Sequence, residues 1–568
     1  MFWYALRRLA TQRLRGLRGV PVRFHNPSWR LHCRCIHDLS GFPKVDDPPL
    51  ISNDTIYALS SGLGRAGIAV IRISGPGCLD VYRRLCPTRD PPKPRYAGVR
   101  TLFEPDPVFT SKPNILDNDA LILYFPSPKT VTGEDVLELH VHGGPATVKA
   151  VLSAIRKCSS STKIRYAEPG EFTRRAFING RLDLAQVESL GDTLAAETEQ
   201  QRRAAVRGNS GVLGKTYDSW REQLLLARGE IEALIDFSED QHFDESPAEL
   251  LTNVTKLVER IVNSIQLYKL GSRRSELLRN GIRIALLGPP NAGKSSLMNL
   301  IVGREASIVS SEAGTTRDVV EASLDIRGYL CSFADTAGIR TNLSDASSTS
   351  EGSPASAIGA IEEEGIRRAR QKALESDVII ALASVEVASS GGHRINYDIE
   401  TLQLAAAAQK GLVAVNKADV VSPDALNSLL EDFKASALGS VGGLRDVEPL
   451  IISCKTAASP PPVAELTDPG GIHGLTEKLA ESFSDLTSVP SGMQHLLGVT
   501  ERQNQLLSEC EQHLLDFMTE AKKGDPHDEP DVVLAAEHLR LAAIRLASIT
   551  GRGESGDVEE VLGVIFEK

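Results

Sequence analysis

The sequence predicts a chain in three folded parts: an α+β N-terminal domain, an all-α helical domain, and an α/β domain of the P-loop, Ras-like kind inserted into the helical one. Three observations carry this. Short apolar runs punctuated by glycine and proline fill residues 54–165. Two glycine-poor helical stretches lie at about 182–278 and 496–549. Between them strands and helices alternate, and the first of those strands runs into a phosphate-loop pattern. At 568 residues, about three or four domains are expected.

The expected boundaries are 1–45 for a leader, 50–179 for the N-terminal domain and 180–278 for the first half of the helical domain. The inserted domain takes 279–488 and the second helical half 489–568. In the first part, Gly67–Ser74 and the run Ala120-Leu-Ile-Leu-Tyr-Phe-Pro are apolar and bounded by turn residues. Val136-Leu-Glu-Leu-His-Val-His alternates, as a half-buried strand does. In the helical part Trp220, Leu224, Ala227, Ile231, Leu234 and Ile235 recur at three- and four-residue steps, and Leu506, Cys510, Leu514 and Phe517 share one face. The inserted part offers four buried parallel strands, at Ile282-Arg-Ile-Ala-Leu-Leu, Val378-Ile-Ile-Ala-Leu, Leu412-Val-Ala-Val and Leu450-Ile-Ile-Ser. Residues 341–357, rich in serine and alanine, are expected to be a disordered loop.

The first 37 residues hold eight arginines and no acid or lysine, with apolar Trp3, Tyr4, Leu6 and Leu9 between them. That composition predicts a mitochondrial transit peptide; a basic RNA-binding tail is the alternative. Taking those arginines away moves the formal charge from −11 to −19, which argues against a broad nucleic-acid-coating surface, so that any RNA contact is expected to be local. The eight cysteines form no C-x-x-C pair, which argues against a disulfide framework or a zinc-ribbon site. No apolar run reaches the roughly 20 residues that span a bilayer, so no membrane span is expected.

Gly288-Pro-Pro-Asn-Ala-Gly-Lys-Ser295 fits G-x-x-x-x-G-K-S after a strand and before a helix. Asn291, Ala292, Gly293, Lys294, Ser295 and Ser296 are therefore candidate phosphate contacts, with backbone N–H groups cradling oxygens and Lys294 at the β/γ-phosphates. Ser295 and Thr316, from Gly314-Thr-Thr-Arg-Asp, are the candidate Mg²⁺ ligands; Asp335, in Asp335-Thr336-Ala337-Gly338, would hold the metal's water shell. Asn416-Lys417-Ala-Asp419 would select guanine, because the Asp419 carboxylate accepts from N1–H and the 2-amino group while adenine leaves it unpaired, and Ser453 would support the base. Four such motifs in order imply GTP. Cys454 reads as inert packing. One position breaks the pattern: Ile339 stands where many GTPases place the glutamine that orients water.

The flanks resemble the MnmE (TrmE) family of tRNA-modification GTPases in its mitochondrial form. The resemblance runs through Asp54-Thr-Ile, Gly64-Arg-Ala-Gly, Ile71-Arg-Ile-Ser-Gly, Thr132-Gly-Glu-Asp-Val-Leu-Glu-Leu-His, His142-Gly-Gly-Pro and Glu168-Pro-Gly-Glu-Phe-Thr-Arg-Arg-Ala-Phe-Ile-Asn-Gly-Arg-Leu-Asp-Leu-Ala-Gln. It implies a homodimer that binds a 5-formyltetrahydrofolate-type folate through Arg72, Glu138 and Arg181. It implies work with an FAD-containing MnmG-type partner on C5 of the wobble uridine of mitochondrial tRNA. It further implies a bound K⁺, ligated by Asn291 and by oxygens of Ser310, Glu312 and Thr315 in a loop ordered when two G domains meet. Glu362, or its neighbours Glu363 and Glu364, would position water in place of the missing glutamine. His140 and His142 share one strand face and read as structural rather than metal-ligating. Family members usually end in Phe-Cys-Ile-Gly-Lys, whereas the sequence given ends Phe566-Glu-Lys568. The expectation is that either modification is incomplete in this chain or the sequence continues. A GTP-driven mitochondrial ribosome-assembly factor is the alternative reading.

Overall fold

A computed structural model describes residues 53–105, 114–158, 162–237, 247–309, 323–334, 371, 373–388, 391–459, 468–523 and 530–551. The leader, the 341–357 insertion and the C-terminal residues from 552 lie outside these, as do Ser310, Glu312, Thr315, Thr316, Asp335, Thr336, Ala337, Gly338, Ile339 and Glu362.

The N-terminal part is a six-stranded sheet. Its strands are β1 (Thr55–Leu59), β2 (Ile68–Ser74), β3 (Gly98–Phe103), β4 (Ile115–Phe125), β5 (Val136–His142) and β6 (Ile164–Tyr166), in the order β3-β4-β5-β2-β1-β6. All neighbours are antiparallel except β1 and β6. Alternation decides which face is covered. Ala69, Ile71 and Ile73 of β2 and Leu137, Leu139 and Val141 of β5 pack under α1 (Cys78–Leu85) and α2 (Pro145–Arg156). The intervening residues Arg72, Glu138 and His140 are only half-buried on the other face.

A short helix α3 (Glu171–Ile178) leads into the helical part: α4 (Leu184–Ala195), α5 (Glu199–Gly208), α6 (Val212–Phe237) and α7 (Pro247–Asn280). Asp183 and Thr198 each close a reciprocal capping box with a glutamine at the third helical position, so the starts of α4 and α5 are fixed locally.

The chain then enters an eight-stranded sheet. Its strands are β7 (Ile282–Leu287), β8 (Ala306–Ile308), β9 (Ser323–Ile326), β10 (Tyr329–Ala334), β11 (Val378–Val387), β12 (His393–Asn396), β13 (Lys410–Asn416) and β14 (Leu450–Ile451). The order is β14-β13-β11-β7-β10-β9-β8, with β12 beside β11. The β14-β13-β11-β7-β10 run is parallel. Both faces are covered: Val378, Ile380 and Leu382 of β11 enter one apolar core, and Ile379, Ala381, Ala383 and Val385 enter the other. Helices on this sheet are α8 (Lys294–Leu300), α9 (Ile399–Ala407), α10 (Pro423–Ser436), α11 (Cys454–Ala458) and α12 (Ile472–Thr487). The fourth expected strand is corrected in part. It spans only two residues at the sheet edge, with Ile451 44% exposed. An edge strand with one neighbour buries only part of its surface, whatever its apolar content.

Two further helices, α13 (Glu501–Ala521) and α14 (Val532–Thr550), return the chain to the first helical half. Trp220, Leu224, Ala227 and Ile231 from before the sheet share one core with Cys510, Leu514, Phe517, Leu539 and Leu546 from after it. The helical part is thus one core built from both sides of an insertion. The two ends of the inserted segment are fastened side by side: Ser275 Oγ donates to the Leu497 carbonyl at 2.6 Å, and Arg274 donates to the carbonyl of Ser488. Such proximity is what lets a domain sit inside another.

Candidate nucleotide site

The turn after β7 is a loop that tolerates no larger residue at two points. Gly288 has φ +152°, and a Cβ there would overlap the carbonyl oxygen of Leu382. Gly293 has φ +99°, and its Cβ would strike Nδ2 of Asn416. Asn291, also in the left-handed region at φ 59°, is exposed at the loop's turn. Ala292 is fully buried. Lys294 Nζ bridges the carbonyls of Gly288 and Pro289 at 2.8 and 2.9 Å, so its charge is held over the loop. Ser295 and Ser296 open α8 with their residues exposed.

The segment expected to select the base approaches from β13. Asn416 is 2% exposed and acts as a joint. Its Nδ2 donates to the Ala292 carbonyl at 2.8 Å, and its Oδ1 accepts from the Cys454 amide at 3.1 Å. One side chain therefore ties the phosphate loop to the start of α11. Lys417 has φ 63° and its ammonium lies 3.5 Å from Glu386 Oε1. Asp419 is oriented by Ser453, whose hydroxyl donates to Oδ1 at 2.6 Å; Oδ2 lies 3.9 Å from Lys455 Nζ. Ser453 Oγ also accepts from the Thr456 amide at 3.1 Å. Burial pushes the Cys454 thiol up to about 11, so it stays protonated and unreactive at neutral pH.

The N-terminal residues behave differently. Arg72 and Glu138 face each other in register on β2 and β5, with Nη2 to Oε1 at 2.9 Å. The other carboxylate oxygen lies 3.3 Å from His140 Nε2. The Arg72 guanidinium also sits 5.9 Å from the centre of the Phe172 ring. Arg181 donates to the Thr130 carbonyl at 2.9 Å, and among the described residues no hydrogen bond or ion pair joins it to the Arg72–Glu138 pair. His142 pairs with Asp117 at 2.9 Å.

Sequence reasoning missed two constellations. The first is the Asn416 joint, which requires three segments distant in the chain to be placed together. The second lies largely inside the motifs that carry the resemblance. Arg175, 6% exposed, binds Asp54 Oδ1 at 2.5 Å and Glu134 and Glu171 at 3.1 Å; Arg165 binds Asp54 at 2.6 Å and Glu171 at 2.5 Å. Asn179 Nδ2 adds a bond to the Thr132 carbonyl at 2.7 Å. The Thr132–Glu134 turn and α3 are thereby locked to β1. Arg175 among three acids within these motifs, with Arg165 three residues before the last motif, was the available signal.

The fold and this loop geometry define a P-loop GTPase. The "GTP-binding protein TrmE N-terminus" family model matches residues 55–181, and the "MnmE helical domain" model matches residues 184–568. The chain is 36% identical over 571 residues to the mitochondrial 5-taurinomethyluridine-[tRNA] synthase subunit GTPB3 of Homo sapiens, covering 100% of this chain and 99% of that protein. It is 38% identical over 513 residues to the tRNA modification GTPase MnmE of Parvibaculum lavamentivorans, covering 90% of this chain and 98% of that protein. The chain belongs to the MnmE (TrmE) family of GTPases that act in tRNA modification.

Proposed function

We propose that this chain is a mitochondrial GTPase that modifies C5 of the wobble uridine of certain mitochondrial tRNAs. It would act with an FAD-containing MnmG-type partner and draw on a folate one-carbon unit. The observation that supports this best is the Asn416 joint, which presents a phosphate loop and a guanine-selecting carboxylate together. It occurs in a chain matched end to end by a mitochondrial tRNA-modifying subunit.

GTP would lie with its phosphates on the 291–296 backbone and its base on Asp419, backed by Ser453. The exposed Ser295 at the head of α8 suits Mg²⁺ together with Thr316, with Asp335 holding the water shell. Asn291, exposed at the loop's turn, suits a K⁺ completed by Ser310, Glu312 and Thr315. These cations would neutralise charge that develops on the phosphates. Glu362 would orient the attacking water. At the folate, Arg72 and Arg181 would meet the anionic tail and Glu138 the pterin N–H edge. Arg72 and Glu138 already engage each other, so the ligand would have to share or displace that pair.

The test is mass spectrometry of mitochondrial tRNA nucleosides after deletion of the gene, with rescue by the wild-type chain or by Asp419→Asn. Loss of the C5-modified wobble uridine, restored only by the wild type, supports the proposal. Normal nucleosides with a defect in ribosomal subunits would favour the assembly-factor reading instead.

A further inference from the structure

Far along the chain from the nucleotide loop, α13 and α14 pack through Cys510, Leu514 and Phe517 against Ala535, Leu539 and Ala542. Beside that seam lie His513 and Asp516 on α13 and His538 on α14. A three-residue spacing places His513 and Asp516 on one side of their helix. One nitrogen of each histidine and one carboxylate oxygen of Asp516 all lie within 4.8 Å of one another. The two imidazole rings are 6.4 Å apart between centres, at 32°. All three residues are half-buried.

One atom makes this cluster unlike an ordinary polar seam. His538 Nδ1 is buried and has no hydrogen-bond partner among the described residues. Buried ring nitrogens are normally satisfied, so an orphan on one member of a cluster of three potential ligands points to something bound there. Asp516 accepts from Gln512 Nε2 at 2.9 Å, a bond from its own helix that leaves further lone pairs on the carboxylate.

We propose that His513, Asp516 and His538 form a binding site for a divalent transition metal of the zinc type. Two imidazoles and one carboxylate suit Zn²⁺, Co²⁺ or Ni²⁺, whereas Mg²⁺ and Ca²⁺ prefer all-oxygen sets. Zinc takes imidazole nitrogen at about 2.0–2.1 Å, so small side-chain rotations must draw the three ligand atoms inward, and water completes the tetrahedron. An imidazole ligates in its neutral form, and the Arg545 charge lies near His513. Arg545 opposes a second cation, but its guanidinium is engaged by Glu509 at 3.1 Å. The metal would clip α14 to α13, and so steady the half of the helical core that follows the inserted domain.

The experiment uses the full chain, freed of metal with a chelator and titrated with Co²⁺ and Zn²⁺. Visible Co²⁺ absorption reports the ligand field, calorimetry the stoichiometry, and thermal unfolding the clip. The wild type should gain one equivalent of tight Zn²⁺, a tetrahedral-type Co²⁺ spectrum and a raised Tm. His513→Gln and His538→Gln should lose all three, while Asp516→Asn should bind about tenfold or more weakly. Basal GTP hydrolysis should be unchanged in each variant and serves as the folding control; if one variant fails to fold, the other two decide. Equal stoichiometry and equal Tm shifts in wild type and variants would overturn the site. So would a wild-type chain that binds no Zn²⁺ at all.

Discussion

Asp419 shows how a single side chain can be both legible and incomplete in a sequence. Its place in Asn416-Lys-Ala-Asp419 announces guanine, because a carboxylate after that strand has two acceptors to offer. What the motif does not announce is orientation, which comes from Ser453, 34 residues further on. Asp419→Asn replaces one acceptor with a donor and should weaken GTP by about 1–3 kcal/mol, roughly five- to 150-fold, while xanthosine triphosphate gains. Competition binding with both nucleotides measures this, and unchanged GTP affinity would remove Asp419 from the base site. Gly293→Ala tests a different property of the same site. It places a methyl at φ +99° against Asn416 Nδ2, so the joint must give way. Nucleotide affinity should collapse while the secondary structure seen by circular dichroism is retained, because the strain lies in one loop. Arg72 and Glu138 were legible as residue types but not as a pair, since their register across β2 and β5 depends on the whole sheet.

Elements were legible where one period dominates. β5 falls where alternation puts it, and the α6 face from Trp220 to Ile231 where helical spacing puts it, because each buries one face; the apolar runs at β2 and β11 are strands as expected, β11 because both its faces are covered. β14 did not, since an apolar run at an edge has nothing to cover it. The union of α3 with β1 was also beyond the sequence, because it is held by charges rather than by an apolar stripe. Arg175→Met would leave Asp54, Glu134 and Glu171 crowded around a missing cation. Breaking such a buried set by removing one partner destabilises by about 3–5 kcal/mol. Hydrogen-exchange protection of β1 and α3 should fall accordingly, with the eight-stranded sheet unaffected. The network also sets a pH response. Burial alone would raise the Glu171 carboxyl, but hydrogen bonds from Arg165, the Glu168 amide and Arg175 outweigh it and hold the folded value below the ordinary one. Its contribution is therefore complete above the unfolded value, about 4.3, and lost as pH falls through the lower folded one. Protection factors at β1 should hold down to about pH 4 and then decline, and in Arg175→Met the decline should begin at higher pH.

At the scale of the molecule, the decisive arrangement is an inserted GTPase whose two ends are clamped to one helical core. The clamp at Ser275 and Leu497 is not its only tie to that core. The Gln200 amide at the head of α5 donates to the Gly328 carbonyl at 3.1 Å, in the turn joining β9 to β10. In sequence β10 is followed directly by Asp335-Thr-Ala-Gly, so this bond joins α5 to the turn that precedes that strand. The question raised by Ile339 is one of charge and geometry. An isoleucine cannot orient water, and Lys294 is the cation the loop itself supplies. In the proposed function the remaining charge is assigned to K⁺ at Asn291 and the remaining geometry to water held by Glu362, and turnover tests both assignments. Steady-state GTP turnover should be measured in K⁺ and in Na⁺ at equal ionic strength. The wild type should run roughly tenfold or more faster in K⁺, since preorganised charge at the phosphates is a large part of such catalysis. Asn291→Ala should run at the Na⁺ rate in both salts. Glu362→Ala should bind GTP with unchanged affinity and turn over about 10²–10⁴-fold more slowly, as the loss of a positioned base or water-orienting group does. Equal rates in the two salts would eliminate the K⁺ mechanism, and a fully active Glu362→Ala would pass the water-orienting role to Glu363 or Glu364.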